Sequence, residues 1–274
     1  MSWPFDRGLP DVGMGAGAAL LATDPALHAA LEAADWAPTV QRVTAADPDA
    51  PEVARTFDLL RVLAADVRGA LARDAFPLVL AGGCLSACAT VAASGARGVV
   101  WLDAHADLDT PEDNTSGFLD VMALSVLTGG CWRAQRATID GFAPIAPGDV
   151  ALLGVRDLAP HQADALARSA VRAVAGAFAP SAVDAALAPL PLPLYLHVDL
   201  DVLDTAVGQA NAHASPGGPS LEAVLGAVDA TFDHGRVVAA ALSAYDPRAD
   251  GDGGILAAAG AIAGRIAARA REQR

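Results

Sequence analysis

Gly98-Val-Val-Trp-Leu-Asp103-Ala-His105-Ala-Asp107 and Leu194-Tyr-Leu-His197-Val-Asp199-Leu-Asp201 are the two stretches that decide the fold. In each, a short apolar run passes directly into alternating acidic and imidazole side chains. Alternate residues of an extended chain point the same way. Asp103, His105 and Asp107 therefore share one face, and so do His197, Asp199 and Asp201. Carboxylates gathered at strand ends repel one another unless a cation sits among them. Oxygen and imidazole donors suit a divalent ion such as Mn2+. Five such donors exceed the needs of one ion, so two ions are expected, a site suited to hydrolysis.

With those two, the strand-like apolar runs are Pro77–Ala81, Val99–Leu102, Val150–Gly154, Leu194–Val198 and Val237–Ser243. Between them lie helical patterns over about 52–74, 161–176, 220–232 and 254–272, with apolar residues near 3.6-residue spacing. Continuous apolar strands alternating with helices predict a parallel sheet covered on both faces, a three-layer α/β/α architecture. Ligands of such sheets sit beyond the carboxyl ends of the strands. Gly82-Gly83, Asp103–Asp107, Gly154–Asp157, Asp199–Asp201 and Tyr245-Asp-Pro all fall there. No internal repeat or linker divides the chain, so residues 1–274 read as a single domain.

A net charge of −14 argues against a nucleic-acid partner, whose phosphates would be repelled. A hydrophobic content of 53% is enough for a large core. No apolar run reaches the roughly 18–20 residues of a membrane span. The N-terminus lacks a basic region followed by an apolar stretch, so no signal peptide is expected. Three cysteines, an odd number, argue for a reducing cytoplasm. A cytoplasmic protein with a small-molecule substrate and no membrane or nucleic-acid partner is expected. Of the histidines, His197 reads as a core residue or one behind the metal ligands. His28, His161, His213 and His234 read as surface residues.

Together these motifs resemble the arginase/agmatinase/formiminoglutamase (ureohydrolase) family across most of the chain. Asp11–Gly17 resembles its glycine-rich N-terminal turn. The run Asp103–Gly117 resembles its metal-and-substrate loop without a gap. Gly154-Val-Arg-Asp157 and Asp199-Leu-Asp201 resemble its later strand-end signatures. The resemblance implies attack of metal hydroxide on a guanidinium or amidine carbon, commonly with release of urea. It implies that Asp103, Asp107 and Asp199 hold one Mn2+, with Asp103 and Asp199 bridging. His105 and Asp201 would complete the shell of a second. It also implies a homo-oligomer.

This chain departs from the pattern at several points. Cys84, in Ala81-Gly-Gly-Cys84-Leu, stands where the family has a metal-binding histidine, and a thiolate is better matched to Zn2+. Asp120 stands where the family has a proton-shuttling histidine, so Asp120 and Asp107 are the candidate catalytic carboxylates. Asp109, Asn114 and Ser116 on the loop are the substrate-binding candidates. Ala159 and Gln162 replace the residues that bind the α-amino group of arginine. Ala244 replaces the glutamate that pairs with the guanidinium, leaving Tyr245 or Asp246 as the nearest polar substitutes. Plain L-arginine is therefore a poor substrate candidate. Two alternatives stay open: an amide deacylase of the same fold with one Zn2+, and a non-catalytic or regulatory homologue.

Overall fold

The computed structural model describes residues 1–44, 47 and 49–274. The strands are β1 (Ser2–Trp3), β2 (Phe5–Asp6), β3 (Leu9–Pro10), β4 (Leu78–Ala81), β5 (Gly98–Leu102), β6 (Val150–Val155), β7 (Arg172–Ala175), β8 (Leu194–Asp199) and β9 (Val237–Ser243). The helices are α1 (Gly13–Leu21), α2 (Pro25–Ala33), α3 (Glu52–Leu71), α4 (Ser86–Ser94), α5 (Ala123–Thr128), α6 (Arg133–Arg136), α7 (Pro160–Arg168), α8 (Pro180–Leu187), α9 (Leu221–His234) and α10 (Gly254–Glu272). Seven strands form one sheet in the order β1-β4-β9-β8-β5-β6-β7, and every pairing in it is parallel.

Residues alternate across the sheet as the period of two requires. Val100, Leu102, Leu194, Leu196 and Val198 pack on the face covered by α2, α8, α9 and α10. Val99, Trp101, Tyr195, Ala239 and Ala241 pack on the opposite face, under α3, α4 and α5. Trp101 and Tyr195 are among the largest wholly buried side chains. The three-layer α/β/α arrangement expected from the sequence is the one observed.

The order of the strands places the site. After β4 the chain leaves space for two strands, forms β5 and builds outward through β6 and β7. It then returns to fill the gap with β8 and β9. The carboxyl ends of β4, β9, β8 and β5 thus lie side by side at the centre, with Ala81 and Asp199 both in register with Ser243. Such a crevice is where ligands of α/β sheets bind.

Element bounds differ from expectation at a few places. The helical pattern over 161–176 covers two elements: α7 ends at Arg168, and Arg172–Ala175 forms the edge strand β7. Ser169 punctuates the change, its hydroxyl donating to the Leu166 carbonyl and accepting from the Val171 N–H. The glycine-rich segment 11–17 opens helix α1. Gly17 there lies against the backbone beyond β9, and a Cβ on it would meet the Tyr245 carbonyl oxygen at 1.7 Å. Only glycine permits that approach.

Candidate metal centre

Two groups of metal-ligating atoms, each within 4.8 Å of one another, sit past the strand ends: Cys84 with Asp103 and Asp199, and Asp103 with His105 and Asp201. Asp103 belongs to both. Its Oδ2 accepts from Trp101 Nε1 at 2.9 Å and its Oδ1 from the His105 backbone N–H at 2.7 Å. His105 Nδ1 stands 3.4 Å from Asp103 Oδ1 and 3.4 Å from Asp201 Oδ2. Asp199 Oδ1 accepts from the Asp201 N–H at 2.8 Å, while its Oδ2 lies 3.0 Å from Cys84 Sγ. Asp107, in the left-handed backbone region at φ +50°, lines the same inner pocket outside both groups.

The site crowds buried carboxyl groups against one another. Burial, reinforced by the neighbouring carboxylates, pushes Asp107 and Asp199 well above the usual carboxylate range. Against burial, the Asp103 and Asp201 carboxylates push His105 up to about 12. Burial and the surrounding carboxylates also push the Cys84 thiol well up. Among the described residues, no arginine forms an ion pair with Asp103, Asp107, Asp199 or Asp201. Arg156, of the 154–157 motif, instead donates to main-chain carbonyls that include those of Asp201, Val202 and Ser215, stapling the second acidic loop in place. Buried carboxylates so placed require neutralisation by protons or metal. The mixed O, N and S donors fit divalent ions, with sulfur the soft member of the set.

Asp120 lines the inner pocket, and burial pushes its carboxyl up to about 7. Both of its oxygens are engaged by the turn carrying Cys84: Oδ2 accepts from the Cys84 N–H at 2.8 Å and Oδ1 from the Leu85 N–H at 2.9 Å. His197 is wholly buried, stacked on Trp101 at 3.9 Å, with Tyr195 Oη and Ser243 Oγ on its two ring nitrogens.

The inner pocket, about 80 Å³, shares Phe118 and His213 with an outer cavity of about 680 Å³. Ser116 and Asp246 line the outer cavity, Asp246 in a two-pronged ion pair with Arg248. Asp109 and Asn114 hold the loop itself. Asp109 accepts from Gln162 at 3.0 Å and from Asn114 at 3.2 Å, and Asn114 caps the Gly117 N–H at 2.7 Å. Tyr245 turns into the core, its hydroxyl donating to Asp250 at 3.1 Å. Ala244 lines the inner pocket and brings no charge to it.

Sequence reasoning missed two residues here. Asn211 is buried and donates to Asp201 Oδ2 at 3.2 Å and to the Ala244 carbonyl at 2.8 Å. His213 is exposed, as expected, but it forms part of the pocket wall. Its ring stacks on Phe118 at 5.8 Å and meets His105 edge-on at 6.4 Å. The signal available was the loop Asn211-Ala-His213 following the second acidic motif without an intervening element.

Among solved structures, the arginase of Bacillus subtilis superposes with a TM-score of 0.82 at 22% identity, covering 97% of this chain and 96% of that one. The proclavaminate amidino hydrolase of Streptomyces clavuligerus matches at TM-score 0.65 and 18% identity, over 85% and 74% of the two chains. In sequence, the arginase of Brucella melitensis is 28% identical over 65% of this chain and 63% of its own length. The arginase of Staphylococcus aureus strain MRSA252 is 34% identical over 37% of this chain and only 34% of its own length, so that match spans about a third of the relative. The family model described as Arginase family matches residues 3–268. With that match running through both acidic motifs and the strands that carry them, the chain belongs to the arginase family.

Proposed function

We propose that this protein is a metal-dependent hydrolase that cleaves a C–N bond of a guanidino or amidino compound. The observation that carries the reading is the pair of ligand groups joined at Asp103. Asp103, His105, Asp199, Asp201 and Cys84 would hold two divalent ions, with Asp107 beside them. When bound, such ions would acidify water and supply positive field to developing negative charge.

The chain's own residues do the rest. The inner pocket, about 80 Å³, would take a small head group, and the outer cavity, about 680 Å³, the remainder of the substrate. Ala244 brings no charge to the head group, so pairing of a charged head group would fall to Asp107 and Asp120, which line the same pocket. Ser116 and Asp246 offer polar contacts to the substrate's far end. The leaving amine needs a proton. Asp120 can carry one, but its oxygens already accept two N–H groups. The ring of His213, to which no hydrogen bond or ion pair is made among the described residues, is the freer carrier.

The test is a panel of guanidino and amidino compounds assayed for urea or amine release with Mn2+, Co2+ or Zn2+ supplied. Turnover that disappears in Asp199→Ala supports the reading. One Zn2+ per chain with no product from any of these compounds overturns it.

A further inference from the structure

Behind Cys84 lies a chain of buried polar groups whose hydrogen-bond directions are forced. Tyr195, His197 and Ser243 are wholly buried. The Tyr195 hydroxyl has one hydrogen-bond partner among the described residues, His197 Nδ1 at 2.9 Å. A buried phenol without an acceptor is unfavourable, so this O–H donates to Nδ1. Nδ1 is then an acceptor, and the imidazole proton sits on Nε2. Nε2 faces Ser243 Oγ at 3.0 Å and donates to it. The single hydroxyl hydrogen of Ser243 remains, and the other partner within reach is Cys84 Sγ at 3.4 Å. The opposite direction, or a doubly protonated imidazole, would leave the hydrogen of the wholly buried Tyr195 hydroxyl without an acceptor among the described residues. Stacking of His197 on Trp101, 3.9 Å apart and 19° from parallel, holds the ring plane that this geometry needs.

We infer that Ser243 is a positioning residue whose hydroxyl donates to the sulfur of Cys84, with Tyr195 and His197 fixing the direction of that donation. The inference rests on the reading of Cys84 as a metal ligand and deepens it. A cysteine among carboxylates is the soft donor in a hard set. A hydrogen bond onto sulfur draws electron density from it and fixes its lone-pair direction toward Asp103 and Asp199. The Asp120 clamp holds the backbone of the same residue, so Cys84 is constrained at both ends. Partners behind metal ligands act in this way in other sites, where removing one costs 10–100-fold in affinity.

The experiment uses Co2+ alone as the probe, added to the full-length protein. Thiolate bound to Co2+ gives a near-ultraviolet charge-transfer absorption that carboxylate and imidazole ligands do not. In the parent protein the band appears, and Cys84→Ser abolishes it. Ser243→Ala is expected to keep the band but move it to longer wavelength, since an unbonded thiolate gives up its electrons more easily. The same variant should weaken Co2+ affinity about 10–100-fold. Tyr195→Phe, which frees His197 to change tautomer, should move the band the same way by less, and Ser243→Thr should restore it. Circular dichroism of each variant identifies misfolding, and the mild Tyr195→Phe variant decides the matter if Ser243→Ala fails to fold. A band that is present, lost in Cys84→Ser and unmoved in both Ser243→Ala and Tyr195→Phe overturns the inference while leaving Cys84 as a ligand. A Co2+-loaded protein without the band overturns the ligand reading and this inference with it.

Discussion

Asp120 grips the Cys84 turn with both carboxylate oxygens, accepting from the Cys84 N–H at 2.8 Å and the Leu85 N–H at 2.9 Å. These N–H groups lie in the turn just before α4, at its N-cap Leu85 and the residue ahead of it, where no helical carbonyl is available to accept them. Gly83 makes the approach feasible, because a Cβ there would stand 2.4 Å from Asp120 Oδ2. Asp120→Asn keeps the shape but turns one acceptor into an NH2 group facing an N–H donor. We expect a loss of about 1–3 kcal/mol in unfolding free energy, the usual effect of an unsatisfied buried donor. The metal content after dialysis should fall as well. Urea denaturation and elemental analysis measure the two effects. An Asp120→Asn protein with unchanged stability and metal content would show that the grip is incidental.

If Asp120 is a clamp, the proton of the leaving group must come from elsewhere, and His213 is the residue to change. Its backbone is set by Asn211, whose Oδ1 accepts from the His213 N–H at 2.8 Å. Removal of a positioned acid or base typically lowers turnover by about 10²–10⁴. We expect His213→Ala to show that loss in kcat, with metal content unchanged and partial rescue by added imidazole. The opposite pattern, full activity in His213→Ala and loss in Asp120→Asn at full metal occupancy, would return the role to Asp120.

Asn211 ties the second acidic motif to the strand end at Ala244. Asn211→Ala would leave Asp201 Oδ2 and the Ala244 carbonyl without this donor, and the His213 N–H without its acceptor. The expected destabilisation is about 1–3 kcal/mol. A lower metal affinity should accompany it, because partners of ligating carboxylates orient them. A melting curve with and without Mn2+ distinguishes the effects. Saturating metal at about 100 times its dissociation constant should stabilise the parent by about 2.7 kcal/mol, and the variant by less at the same concentration.

The legible parts of this molecule were those written in contiguous residues. Strands β4, β5, β6, β8 and β9 are buried on both faces, so each reads as an apolar run, and the acidic motifs follow two of them directly. Strand β7 is an edge with mostly exposed residues, Arg172-Ala-Val-Ala, and offers no such run. Strands β1, β2 and β3 span two residues each, too few for any period to show. The remaining gaps are contacts between distant loops. Phe118 meets His213, Asn211 reaches Ala244, and Asp120 caps the turn at Cys84, pairings that exist only once the sheet has brought four strand ends together. Tyr245 shows the converse: it follows a strand end, where polar residues are expected to face ligand, yet its ring packs inward and its hydroxyl is satisfied by Asp250.

His197 also makes a prediction about acid stability. Burial holds its imidazole down at about 3, opposed by the Asp201 carboxylate, while an unfolded chain would titrate it near 6.5. Between these values the unfolded chain binds one more proton than the folded one, so stability falls as pH falls. The contribution is fully present above about pH 6.5 and is lost progressively toward pH 3. One group of this kind changes unfolding free energy by up to about 1.4 kcal/mol per pH unit. Asp107 and Asp199, with raised folded values, act in the opposite sense, so the His197 share is read as a difference. His197→Gln retains an acceptor and a donor for Tyr195 and Ser243 but cannot titrate. Urea unfolding of both metal-free proteins should therefore show the parent losing ground to the variant by about 1.4 kcal/mol for each unit from pH 6 to pH 4. Parallel profiles would mean that the folded protein admits a proton at His197, and with it the tautomer forced by Tyr195 would be lost.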